Sequence, residues 1–293
     1  MAKRSASSSK RIFRALFCSL LGCLFGQPQN LHAQKWFAGR NEMGVCLGVS
    51  GYMGDLTHGT TTLDQLHPSA SLYHRYNFSG YFSMRNQLSY LSISGDDNRQ
   101  GKMLLDNGSS HYAYRNLNFQ SNVVEYSSMV EFNFHSFGTN TGNQEFTPYA
   151  FTGLALFYFD PHRLDEPGIN LRNLNTENRT RIYSHLQPAI PLGFGVKYIS
   201  YSKRNKGAFI VGFETCWRHT YTDYLDDVNG LYPDYFEKQL EEGIGPAQYS
   251  HAQTINGSAP FNAGTMRGDV HRKDWYYFYG LNLSYRFTPL TCR

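Results

Sequence analysis

Serine–histidine neighbours and aspartate pairs are the residues of this sequence whose types are suited to catalysis or metal binding. The serine–histidine segments are His67-Pro68-Ser69, His135-Ser136 and Ser250-His251. A serine nucleophile must contact its histidine base, but neighbouring side chains on a strand point to opposite faces, so none of these segments forms that contact by itself. Asp96-Asp97 and Asp226-Asp227 are pairs able to hold Ca²⁺ on a loop, although a surface pair is usually just solvated. The 5 Cys and 11 His form no ligand set, and we predict no catalytic residue, metal or cofactor.

The first 33 residues predict a secretory signal peptide. Five basic residues within the first fourteen precede an apolar run over 15–25, and Leu31-His32-Ala33 ends on a small residue suited to cleavage. The run is shorter than the roughly 20 residues of a spanning helix. A lipoprotein box that ends at Cys23 is the alternative. Most of the net charge of +4 lies in this segment, and without it the chain has no basic surface for nucleic acid.

The rest of the chain, 34–293, contains eight segments in which apolar and polar residues alternate. The chain has 46 aromatic residues, or 16%, yet its mean hydropathy is −0.49, as expected when apolar side chains occupy one face of each strand. No apolar run after residue 33 is long enough to cross a membrane as a helix, so the chain can span one only as a closed β-barrel. The predicted strands are 42–52, 69–76, 81–94, 118–134, 146–159, 187–199, 207–219 and 275–287.

The gaps between these strands alternate between long and short. The gaps at 77–80, 135–145 and 200–206 are short and rich in turn residues, and the four others are longer. Outer-membrane barrels have short periplasmic turns and long extracellular loops, and an even strand number returns both termini to the periplasm. The sequence therefore predicts an all-β fold, an eight-stranded antiparallel up-and-down transmembrane β-barrel of the bacterial outer membrane, embedded in outer-membrane lipid with both termini periplasmic.

Charged residues on the polar strand faces follow from this fold. A lumen of eight strands is filled by side chains, and an unpaired buried charge is costly, so we expect the lumen carboxylates to pair with lumen cations. A secreted β-sandwich or a lipocalin-like barrel also produces alternation, with its apolar face turned inward. The predicted network contains Glu125, Glu131, Glu214, Arg85, Lys197, Arg218 and Arg286.

The gap 220–274 is too long for an unstructured loop in a compact domain. Pro233 to Glu242 predicts a short helix that stops near Gly243. The segment before this helix would place aromatic, apolar and acidic groups at the outer rim. The loop is either a folded cap that seals the barrel mouth or a surface for docking a partner. The rim motif consists of Asp223, Tyr224, Leu225, Asp226 and Asp227.

Several stretches, taken in order, resemble one known family. The most specific is Tyr-Thr-Asp-Tyr-Leu-Asp-Asp-Val at 221–228. Together they resemble the Bacteroidetes outer-membrane β-barrel family that includes PorG, a component of the type IX secretion system. The stretches are Gly51–Leu56, Tyr73–Phe78, Ser94–Asp97, Arg115–Phe119, Phe146–Tyr149, Phe157–Pro161, Pro191–Tyr198, Arg218–Val228 and Leu283–Phe287.

The resemblance implies a non-enzymatic outer-membrane subunit that associates with the periplasmic ring of the secretion machine, built from the PorK lipoprotein and PorN. It implies no catalytic residues. Geometry would put ring contacts on the periplasmic side, which comprises Gln34 to Asn41, the turns at 77–80, 135–145 and 200–206, and the tail after Phe287. Two other functions remain open, a lipid-modifying enzyme of the outer membrane and an adhesin that presents its loops. The possible ring contacts are Lys35, Trp36, Phe78, Phe137, Lys203 and Arg204.

Overall fold

Eight antiparallel strands form a closed barrel in the computed structural model, which describes residues 41–57, 65–97, 115–138, 145–178, 182–201, 207–251 and 262–287. Each strand pairs with the strands before and after it, and β8 pairs with β1 to close the ring. The predicted fold class is confirmed. The strands are β1 (Asn41–Met53), β2 (His67–Asn77), β3 (Phe82–Asp96), β4 (Asn118–Asn133), β5 (Phe146–His162), β6 (Leu186–Tyr201), β7 (Ala208–Thr220) and β8 (Trp275–Arg286).

The distribution of residues between the two faces of the barrel is the reverse of that in a water-soluble barrel. Five outward leucines expose between 54% and 72% of their surface, whereas the charged residues of the lumen are buried. A lipocalin-like barrel would bury the apolar face and expose the polar one, so that alternative fails. The leucines are Leu47, Leu72, Leu88, Leu154 and Leu281.

Aromatic side chains form a ring on the outer wall at one end of the barrel and a partial ring, on β5, β7 and β8, towards the other end. One lies at the short-turn end, where 78–81, 134–145 and 202–207 join the strands. The other lies towards the long-loop end, where the remaining connections join them. Paired aromatic girdles of this kind flank the apolar band of barrels that span a bilayer. The first ring includes Tyr76, Phe82, Phe132, Phe146, Tyr198, Phe209 and Tyr285, and the second includes Tyr158, Trp217, His219, Trp275 and Tyr279.

The loop between β7 and β8 contains two helices, α1 (Tyr235–Glu242) and α2 (Ile244–His251). Asp234 caps α1, because its carboxylate accepts a hydrogen bond from the backbone N–H of Glu237. The predicted helix is therefore present, but it begins after Asp234 rather than at Pro233, and α2 was not predicted. Neither helix in the described part of the chain is long and apolar enough to cross a membrane.

Candidate functional site

Glu42 is the centre of an ion-pair cluster at the short-turn end of the lumen. Arg75 Nη1 lies 2.8 Å from Glu42 Oε2, and Arg286 Nε donates to Glu42 Oε1 at 2.8 Å. Asn77 Nδ2 donates to the same carboxylate. Arg286 binds Glu42, whereas the sequence predicts that it pairs with Glu125, Glu131 or Glu214. The prediction missed Glu42 and Arg75, although both occupy polar positions of predicted strands.

Glu131 and Glu214 connect this cluster to the middle of the lumen. Lys197 Nζ donates to Glu131 at 3.0 Å, and Arg75 Nη2 donates to it at 3.1 Å. Arg85 joins the two carboxylates, with Nε 3.1 Å from Glu131 and Nη1 2.6 Å from Glu214. All of these side chains are buried. The result is a continuous network of charge that fills the section of the barrel it occupies.

A second, separate ion pair lies closer to the long-loop end. Arg218 donates to both oxygens of Glu125, through Nε and Nη2, at 3.1 Å each. The Tyr276 hydroxyl donates to the same carboxylate at 2.5 Å. Buried aromatic rings surround this pair, including Phe157, which packs edge-on against Tyr276. The two-pronged arginine contact holds the charges in a fixed geometry.

Phe137 closes the short-turn end from inside. Its side chain is only 3% exposed, and its ring faces the Lys197 ammonium at 5.3 Å and the Arg286 guanidinium at 5.6 Å. The Gly138 carbonyl accepts from Arg286 Nη1, and Gly138 has a φ of +66° where a Cβ would meet that guanidinium. We had expected Phe137 to contact a partner; instead it is packed against the lumen cations and is inaccessible.

At the opposite end, Tyr52 and two carboxyl groups attach the cap, the long loop 221–274, to the barrel. The Tyr52 oxygen lies 2.6 Å from Asp226 Oδ2 and 2.8 Å from Asp274 Oδ1. A phenol has one proton, so the second contact requires a proton on a carboxyl group. Burial raises the pKa of Asp226 well above its usual range, and the nearby Asp274 raises it further. Burial also raises the pKa of Asp274.

The rest of the rim motif is also directed inward. Asp227 accepts from the hydroxyls of Thr176 and Tyr183, and the Tyr183 ring stacks on Tyr224 with centroids 5.0 Å apart. Leu225 is buried. Burial raises the pKa of Asp223 to about 7. The motif therefore joins the β5–β6 loop to the cap, an arrangement that fits the folded cap, one of the two alternatives left open by the sequence.

Comparison with known proteins identifies the family. Residues 29–242, from before β1 to the end of α1, match the family described as Domain of unknown function (DUF6089). The chain belongs to the DUF6089 family. No curated protein matches this DUF6089 sequence.

Three solved structures resemble this DUF6089 barrel, and each alignment covers 85% of the chain. Ail, the attachment invasion locus protein of Yersinia pestis, is 10% identical over 99% of its length, with a TM-score of 0.34. Neisserial surface protein A is 8% identical over 98% of its length, with a TM-score of 0.35. The outer membrane protein OprG of Pseudomonas aeruginosa is 12% identical over 96% of its length, with a TM-score of 0.37. At these values the similarity gives no information about what the DUF6089 chain binds.

The residues first considered for chemistry have structural contacts in this DUF6089 chain. His67 Nε2 lies 2.7 Å from Ser94 Oγ rather than contacting Ser69. Ser250 donates to the Pro246 carbonyl. Asp97 binds Arg115 through both oxygens at 2.7 Å. Among the described residues, no group of three His, Cys, Asp or Glu side chains is arranged to hold a metal ion.

Of the remaining possible ring contacts, the structure describes only Phe78. It lies in the β2–β3 turn of this DUF6089 barrel with 49% of its surface exposed. Lys35, Trp36, Lys203 and Arg204 are outside the described residues, as are the predicted signal peptide and Cys23. Phe78 is therefore the residue through which contacts at the short-turn end can be tested.

Proposed function

We propose that this protein is a non-enzymatic integral subunit of the bacterial outer membrane that anchors the periplasmic ring of a type IX secretion system. The apolar outer wall and its aromatic girdles support the membrane location. The ordered stretches that resemble the PorG family support the secretion role. In this proposal the short-turn end faces the periplasm and the cap faces outward.

The filled lumen is the observation that supports a role as an anchor. The network around Glu131 occupies the lumen towards the short-turn end, and Phe137 closes that end. The Arg218–Glu125 pair lies in the lumen closer to the long-loop end. Barrels of eight strands have an interior just wide enough for side chains. Since these side chains are ion-paired and buried, a substrate could pass only if the network were broken. A function at the ends or the outer wall of the barrel fits this interior better than transport.

The ring contacts in this proposal belong to the short-turn end. Phe78 is exposed there, while Phe137 on the neighbouring turn is buried. An aromatic side chain at a turn can serve as an anchor for a partner, because large aromatic side chains carry much of the binding energy of protein interfaces. Leu154, on the outer wall of β5 and 72% exposed, is a matched position that should face lipid only.

Site-specific photo-crosslinking in cells, combined with affinity purification from membranes, tests the proposal. A crosslinking residue at position 78 should yield adducts with PorK- and PorN-like ring proteins, and the same residue at position 154 should not. Both variants should show the heat-dependent gel mobility of a folded barrel. Purification as a lone barrel, with secretion intact in a deletion strain, would refute the role. A deletion strain with altered lipid A and normal secretion would support the lipid-modifying alternative instead.

A further inference from the structure

Helix α1 in the cap exposes apolar side chains and buries its only lysine. Phe236 is 62% exposed and Leu240 is 88% exposed, whereas Lys238 between them is fully buried. Residues four apart lie on the same side of a helix, so Phe236 and Leu240 form one face that is turned away from the protein. A helix that only covered the barrel would bury this face and expose the lysine.

The contacts of Lys238 hold the helix in this orientation. Its ammonium donates to the Asn175 carbonyl at 3.0 Å and to Glu242 at 2.8 Å. Asp234 caps the first turn of α1, and the Gly243 N–H donates to the Gln239 carbonyl at its end. Turning the apolar face inward would remove the buried ammonium from its two acceptors. The exposed face is therefore presented in a fixed orientation, which reduces the entropic cost of binding.

Acidic side chains lie beside the exposed face, along one flank of the helix. Asp234, Glu237 and Glu241 are exposed, and Lys238 is the only Lys or Arg between residues 229 and 251. A helix that lies on a membrane surface carries Lys and Arg on its polar face, and anionic lipid headgroups attract basic segments. The charge around α1 has the opposite sign, so it opposes contact with such a surface and matches a basic partner.

We propose that the exposed face of α1 docks a protein segment whose apolar residues are flanked by lysine or arginine. Phe236 and Leu240 supply the apolar contact, and the neighbouring carboxylates pair with the basic flanks. This surface lies at the long-loop end, opposite the turns assigned to ring contacts, so it is separate from the role in ring anchoring. A second copy of this chain does not fit, because two acidic faces would repel each other.

Photo-crosslinking from position 240 in the full-length protein in cells tests the proposal. Gln248, exposed on α2, is the matched control position. The adduct should contain a protein segment that combines apolar residues with Lys or Arg, identified by mass spectrometry of the crosslinked peptide. Phe236→Ser should lower its yield by about tenfold, the loss expected on truncating an interface anchor. Glu237→Lys with Glu241→Lys should lower the yield several-fold, and more strongly at low salt.

Folding of each variant is checked by heat-dependent gel mobility, and Glu237→Gln with Glu241→Gln serves as a milder variant with an intermediate yield expected. Adducts only with lipopolysaccharide, or with a second copy of this chain, would overturn the proposal. So would an adduct whose partner segment lacks basic residues, or a yield that the charge-reversed variant leaves unchanged. The absence of any adduct at position 240 above the yield at position 248 would also overturn it.

Discussion

Replacing Glu131 with Gln removes the most connected negative charge in the lumen. Glu131 is fully buried and lies within 3.1 Å of charged atoms of Arg75, Arg85 and Lys197. Gln keeps nearly the same volume, but it removes the negative charge and replaces one acceptor oxygen with an NH2 donor. In the described strands, five lumen cations face four lumen carboxylates, a net charge of +1. The substitution raises this net charge to +2, and the lumen cations that carry it are buried away from solvent.

The expected loss of stability is large. Breaking a buried ion pair by removing one partner costs about 3–5 kcal/mol, because the other charge stays buried without compensation. At a urea dependence of about 1–3 kcal/mol per molar, Glu131→Gln should lower the unfolding midpoint by roughly 1–5 M. Reversible urea unfolding in lipid vesicles, followed by tryptophan fluorescence and gel mobility, measures this shift.

Glu145→Gln is the matched control. Glu145 is exposed at the short-turn end, where it accepts from the Tyr198 hydroxyl, so the same chemical change there should not move the midpoint measurably. Combining Glu131→Gln with Lys197→Gln restores the lumen charge balance and should recover part of the loss. Equal midpoints for the Glu131 and Glu145 variants would refute the inference that these lumen charges depend on one another.

Two other predictions concern the closed ends of the barrel. Since burial raises the pKa of Asp226 and Asp274, the cap is stabilised while both are protonated, and that stability is lost as pH rises through their folded-state pKa values. Limited proteolysis of the cap should therefore accelerate as the pH is raised above the ordinary carboxyl range, and Asp226→Asn with Asp274→Asn should remove most of this dependence; identical pH profiles would contradict the assignment. Phe137→Ala should cost about 3–5 kcal/mol in urea unfolding, whereas Phe78→Ala on the exposed turn should have little effect. If the two alanine variants unfold together, Phe137 does not pack as described.

The strands could be predicted from sequence because their signal is local. In β8, every second residue from Trp275 is aromatic or leucine, and the predicted range ends within one residue of the observed strand. The helix α1 could also be predicted from local signals, Pro233 before it and Gly243 at its end. Helix α2 carries no comparable signal, because it begins with Ile244 and contains Gly245 and a proline in its first turn.

The burial of the rim motif could not be predicted from its local sequence. Its mixture of aspartate, tyrosine and leucine is typical of an exposed functional loop, yet Asp226 is buried against Tyr52, which lies 174 residues away in the chain. Phe137 lies in a sequence typical of an accessible turn, but its ring packs against the Lys197 ammonium. In each case the neighbour that buries the residue comes from a distant strand or loop, so the residue's own sequence context says little about its exposure.

By itself, the sequence determined the number of strands, their antiparallel order and the face on which each side chain lies, because a strand has a period of two. It also assigned the charges to the polar face. Only the tertiary structure decided which charges meet. Arg85 and Glu214 are 129 residues apart, and Arg286 and Glu42 are 244 residues apart. Arg286 meets Glu42 because β8 pairs with β1 and closes the ring, and Arg85 on β3 reaches Glu214 on β7 across the narrow lumen.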